Sequence, residues 1–172
     1  MAFSIQRFVG MLATGLAEII PVIVGGSANA GQIPALGPAG TLDPTMMPPG
    51  VAADVKTCTA SEALAGPCLV NLYSNAGTIT ARNADGSTQG KAADGYVLAA
   101  VASGAQAQVF LSSGIVPGFT GLTPGDAFLS ATTPGAVAAT GAASAGQTFQ
   151  KVGKVLDANT LQFTRGEPVA RN

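Results

Sequence analysis

From Asp54 to the C-terminus, apolar and polar residues alternate in short runs, and each run is closed by Gly, Asn, Asp or Pro. Runs of this kind, punctuated this often, predict a mainly β domain of small strands closed into a barrel or packed as a sandwich. The pattern also repeats. GPCLVNLYSN, starting at Gly66, matches GDAFLSATTP, starting at Gly125, in the character of successive positions. Each is followed by a glycine turn (Gly77, Gly135), a short β run (TITA from Thr78, AVAA from Ala136) and a glycine-led strand (GYVL from Gly95, GKVL from Gly153). A closing strand follows in each, AQVF from Ala107 and TLQF from Thr160. Two pseudo-repeated units, about 60–112 and 119–165, are therefore expected. Each is too small to bury a core alone and stable only when packed on the other.

The first 53 residues read differently. In residues 1–25, Phe8, Leu12 and Ile19 recur at roughly helical spacing. They predict a short apolar helix ending near Pro21, followed by a β-prone Val-Ile-Val run. The stretch imitates a secretory leader, with a lone Arg7 and Ala-Asn-Ala ending at Ala30. Glu18 interrupts it, however, and Pro21 breaks any helix before it spans a bilayer, so a retained helix is the favoured reading and no membrane partner is expected. Residues 26–53 form an extended arm. Its centre, GQIPALGPAGTLDPTMMPPG from Gly31 to Gly50, has neither helical nor strand period and carries one charge, Asp43. Ile33, Leu36, Leu42, Met46, Met47 and Pro48 are too apolar for a solvated linker. Together with Phe8 and Leu12 they are the candidate contacts with other protein surfaces.

Composition sharpens this picture. Charged residues make up 10% of the 172, the net charge is -1, and there are 23 glycines, 11 prolines, no His and no Trp. A domain so poor in charge is weakly soluble as a monomer, and burial in an assembly removes the difficulty. The eight Lys and Arg are scattered, which excludes the clustered cations a nucleic-acid partner requires. Without His there is no neutral-pH general base, the carboxylates are dispersed, and nucleotide and nucleophile-elbow motifs are missing. The chain is accordingly read as a non-enzyme with no cofactor and no metal. Asn83 with Asp85-Gly86-Ser87 suits a β-turn better than a calcium loop. Tyr96 is expected to pack among strands. Cys58 and Cys68 are read as free buried thiols, with a disulfide as the alternative.

The arm also resembles a known family. GQIPALGPAGTLDPTMMPPGVAAD, from Gly31, is similar to a stretch commonly reading G-K-I-V-A-L-D-A-S-G-R-L-D-x-S-M-M-P-x-G-I-G-A-D in the capsid decoration, or cement, proteins of tailed bacteriophages. Further blocks resemble the same family, among them SEAL at Ser61, KAADGYVLAAV at Lys91, GLTPG at Gly121, LSATTPG at Leu129 and VGKVL at Val152. The resemblance covers about residues 31–165. It implies a homotrimer on the outer surface of an icosahedral virion, assembled in the host cytoplasm, with arms tying subunits to one another and to the major capsid protein. Gln32, Gly37 and Thr41 replace the more usual Lys, Asp and Arg, which implies more apolar arm contacts. The competing reading is a head fibre or adhesin whose β domain binds a host surface glycan.

Overall fold

The computed structural model describes residues 8–12, 15–19, 21–22, 33–36, 42, 46 and 54–172. The chain forms two compact units, Met1–Ala53 and Asp54–Asn172.

In the first unit, strands β1 (Phe8–Leu12) and β2 (Gly15–Ile19) pair antiparallel, from Phe8 opposite Ile19 to Leu12 opposite Gly15. The helix expected here is therefore corrected to a hairpin. Phe8 and Leu12 are four apart, a spacing that shares one face of a helix and, being even, also one face of a strand. Spacing alone could not separate the two. Gly10 and Gly15 decide it, since each disfavours a helix interior by about 1 kcal/mol relative to Ala. The one described pairing of the arm is a parallel bridge between Val22 and Pro34. Val22 N donates to Ile33 O (3.0 Å) and Ala35 N to Val22 O (2.7 Å), so the bonds fall on the residues flanking Pro34 and its missing donor is not needed.

The second unit is mainly β. Strands β3 (Val55–Ala60), β4 (Cys68–Asn75), β5 (Thr78–Asn83), β6 (Gly95–Val97) and β7 (Gln106–Phe110) close into a barrel in the order β3-β5-β4-β6-β7. Strands β8 (Gly114–Pro117), β9 (Gly125–Leu129), β10 (Val137–Ala138), β12 (Lys151–Asp157) and β13 (Thr160–Phe163) form an open sheet in the order β10-β9-β12-β13-β8. Two short strands, β11 (Thr148–Phe149) and β14 (Val169–Ala170), tie the C-terminus back.

The two strand orders correspond. Setting β5 against β10, β4 against β9, β6 against β12, β7 against β13 and β3 against β8 reproduces every antiparallel pairing of the barrel in the sheet. One pairing has no counterpart among them. The barrel closes through the parallel contact of β3 with β5, Thr59 opposite Thr80 and Ala60 opposite Ala81. The sheet ends at β10 and β8 without joining them. The chain entering β10 is held elsewhere. Gly135 N donates to Ala84 O (2.7 Å) and Gly135 O accepts from Leu69 N (2.8 Å), which pins this segment to the barrel.

Two cores result. The first is filled by small residues, including Cys58, Ala60, Val70, Ala81, Val97, Ala107 and Val109, as a narrow five-stranded barrel demands. The second joins Leu69, Ala84 and Tyr96 of the barrel region to Val116, Leu129, Val152, Leu161 and Phe163 of the sheet. Strand β7 alternates cleanly, with Ala107 and Val109 buried between exposed Gln106 and Gln108. Tyr96 stacks on Phe110 at 5.4 Å between ring centroids and meets Phe163 edge-on at 5.2 Å, which is the strand packing expected of it.

In each half, a strand glycine faces a main-chain oxygen, Gly95 at the start of β6 and Gly153 at the third position of β12. A Cβ on Gly95 would lie 2.3 Å from Phe110 O, and one on Gly153 would lie 1.9 Å from Gln162 O. Gly153 also has φ +135°, closed to side chains. Gly153→Ala is expected to destabilise the protein by about 2–4 kcal/mol in urea unfolding; a loss below about 0.5 kcal/mol would contradict the close approach. The β4–β5 turn gives the opposite sign. Asn75 pairs with Thr78, and Ala76 adopts φ 49° ahead of Gly77 at φ 85°, a two-residue turn with both central residues left-handed. Ala76→Gly should raise stability by about 0.5–1 kcal/mol, the relief of left-handed strain exceeding glycine's extra unfolded-state entropy.

Candidate assembly surface

Three of the arm residues singled out by sequence stand in solvent. Ile33 is 38% exposed, Leu36 58% and Leu42 44%. Met46 is half-buried. Met47 and Pro48 lie outside the described residues. Ile33 and Leu36 are three apart, so an extended segment presents them on opposite faces. Phe8 and Leu12 fall at the two ends of β1, Phe8 paired with Ile19 and Leu12 with Gly15. Sequence reasoning passed over Val9 and Leu16, which are 73% and 75% exposed, with Glu18 paired to Val9. Large apolar side chains this exposed on a strand pair suit a covering surface.

A second feature was not anticipated. A groove of about 290 Å³ is walled by Ala65–Cys68, by Gly118, Phe119, Thr120 and Leu122 after β8, and by Thr133–Val137 leading into β10. No Asp, Glu, Lys or Arg lines it. Each wall carries a proline beside a glycine, Gly66-Pro67, Pro117-Gly118 and Pro134-Gly135. In the sequence these dipeptides read only as turns. Here Gly66, Pro67, Gly118, Pro134 and Gly135 all line the groove. A broader cleft of about 450 Å³ borders Lys56–Thr59, Gly77–Ile79 and Gln106 on the barrel.

Several polar side chains of the second unit bond within it. Asp94 Oδ2 accepts from Asn71 Nδ2 (3.0 Å) and Leu72 N (2.9 Å), while its Oδ1 accepts from Arg165 Nη2 (3.0 Å). Asn71 Oδ1 accepts from Arg82 Nε (2.8 Å), and the Arg82 guanidinium lies over the Tyr73 ring. Gln150, fully buried, accepts from Ala93 N and donates to Ala93 O and Gly166 O. Asp85 Oδ1 accepts from Ser87 N at 2.8 Å, the side-chain turn expected there. Among the described residues no buried side-chain nitrogen or oxygen is left unpaired, and no three His, Cys, Asp or Glu gather to hold a metal. Such networks organise strands, and their donors and acceptors are already spent on the protein itself.

Cys58 and Cys68 are free and buried. Burial pushes the Cys68 thiol up to about 12, with the Glu62 carboxylate adding to the effect. Burial also raises Cys58, partly offset by Lys56, and raises Tyr96.

No family model matches this chain, and the curated proteins contain no match. Among solved structures, the head fiber gp8.5 N base of bacteriophage phi29 aligns with 67% of this chain and 98% of its own, at 16% identity and a TM-score of 0.42. At that score the likeness carries no further weight.

The Cys68 thiol sets a pH dependence. Its folded value is raised, so below about pH 9 both states hold the proton and stability is complete. Between about 9 and about 12 the unfolded thiol ionises while the buried one does not, and stability falls as pH rises. Urea unfolding across this window should show a shallower decline for Cys68→Ala than for the unaltered chain. Equal slopes would mean that the thiol is solvated in the folded state.

Proposed function

We propose that the protein is a structural component of a tailed-phage head, a trimer that binds the outer capsid surface and fastens neighbouring capsomers through its apolar N-terminal segment. The observation that carries this reading is the exposure of Ile33, Leu36 and Leu42 on an arm with a single charged residue between Gly31 and Gly50. The likeness of that stretch to the arms of decoration proteins gives the surface a partner, the major capsid protein. The described aromatic rings of the second unit are buried or half-buried, which disfavours stacking against a glycan.

Fastening of this kind is a matter of buried apolar area and valency. Ordering an extended arm cancels much of the gain from burying it, so one arm binds modestly. Three arms on one trimer act at high effective concentration, and release requires all three to let go together. Apolar contact also differs from a charge clamp in its response to salt, which screens charges beyond about 3 Å at 1 M.

The test is occupancy on preformed shells of the phage's own major capsid protein. Leu36→Asp with Leu42→Asp should lower affinity at least about tenfold, because burying a carboxylate without a partner is costly. Binding by the unaltered chain should change less than about twofold between 0.1 and 1 M NaCl. Full occupancy by the double variant, or collapse of binding in salt, overturns the arm mechanism. Sedimentation equilibrium of the purified protein reads the trimer directly, and a monomer at micromolar concentration counts against it.

A further inference from the structure

The open seam of the second sheet and the uncharged groove coincide. The barrel is sealed where the end of β3 meets β5, at Thr59–Ala60 and Thr80–Ala81. The equivalent place in the sheet lies between the end of β8 and β10. Here the groove is lined by residues that follow β8 (Gly118, Phe119, Thr120) and by residues that lead into β10 (Pro134, Gly135, Ala136), with Val137 of β10 itself. The pinning of Gly135 to Leu69 and Ala84 prevents the chain from closing the gap. What remains is an uncharged slot between two sheet edges.

We propose that this slot receives the arm of a second copy of the chain, with residues Ile33–Leu36 as the segment that fills it. The inference rests on reading the arm as an assembly element and adds the surface it meets on its own kind. Three observations converge on this occupant. The slot has no ionisable lining apart from the buried Cys68 thiol, and the arm has no charge from Gly31 to Leu42, so neither side must strip water from an ion. Ile33 and Leu36 are exposed on the first unit and the slot is open on the second, so each unit taken by itself leaves its surface uncovered. The volume, about 290 Å³, lies just below the range for ligand pockets, about 300–1,000 Å³, and suits a few aliphatic side chains better than a cofactor. Reach is ample, since the residues between Leu36 and Asp54 span on the order of 60 Å when extended.

Site-directed disulfide trapping in the full-length purified protein tests the proposal. Leu36→Cys and Thr120→Cys, both at exposed positions, are made in separate chains of distinguishable mass and mixed under mild oxidation. The native thiols are buried and stay protonated at pH 8, so they compete poorly. A disulfide between positions 36 and 120 of different chains should form at least about tenfold faster than one between position 36 and a Gln108→Cys control on the outer barrel, the ratio expected for a docked pair over random encounter. Adding Thr133→Lys to the rim should remove that excess. Rates equal to the control overturn the proposal, as does linkage that forms only within a single chain carrying both substitutions. Shells are absent from this experiment. Trapping that succeeds while arm-dependent shell binding fails refutes only the cementing role, and the reverse outcome refutes only the copy-to-copy contact.

Discussion

Strand β4 is buried on both faces, and much of the second unit follows from that. Cys68 and Val70 face the small-residue core of the barrel, while Leu69 between them faces the core shared with the open sheet. A strand lined on both sides needs a continuous apolar run, and Cys-Leu-Val supplies it without the alternation seen in β7. The neighbouring strand β6 does the same with Tyr96 and Val97. Leu69 also donates its backbone N–H to Gly135. A single residue thus ties barrel, shared core and the chain entering β10 together. Truncating the Leu69 side chain would open a cavity in the shared core while leaving its main-chain bond to Gly135, whereas truncating Val70 would open one in the barrel core.

That same joint explains why two halves of equal strand order differ in closure. In the barrel, β3 runs far enough for its last two residues to reach β5. In the sheet, β8 ends at Pro117, which has no donor to continue a ladder, and β10 is two residues long. The residues before β10 spend their backbone bonds on Ala84 and Leu69, and Ser130 N takes Ala136 O. The sheet edge that would have closed a second barrel is instead used to hold the two halves together. One barrel remains whole because the other is opened to pack against it.

The residues told much of this in advance, and where they did not the cause is physical. The strands of the second unit, their mainly β character and the matching blocks from Gly66 and Gly125 could be read from alternation and turn residues. The glycines at 95 and 153 marked the same structural need in both halves, a strand residue pressed against a neighbouring carbonyl. Topology was not legible, because nothing in a local pattern tells a closed set of strands from an open one. The groove was hidden for a related reason. Its walls come from three separate segments whose Pro-Gly dipeptides each look like an ordinary turn. The first strand pair was misread as a helix because a spacing of four fits both periods, and only the glycines within it discriminate.

The sparse charge of the chain gains its meaning from these two unfinished features. A barrel with small side chains inside needs few ions outside to fold, but a soluble monomer does need them. Here the arm makes one described bridge to its own unit, and the sheet leaves an uncharged slot at its seam. Both are surfaces that a charged residue would spoil, since an ion buried there without a partner costs more than the contact returns. Under the proposed role, charge is missing from the places that the role would bury. The distribution is uneven in the way this requires: Lys151 and Asp126 pair at 2.7 Å on the exposed face of β12 and β9, away from the slot, whereas the slot lining and the arm from Gly31 to Leu42 carry no charged side chain.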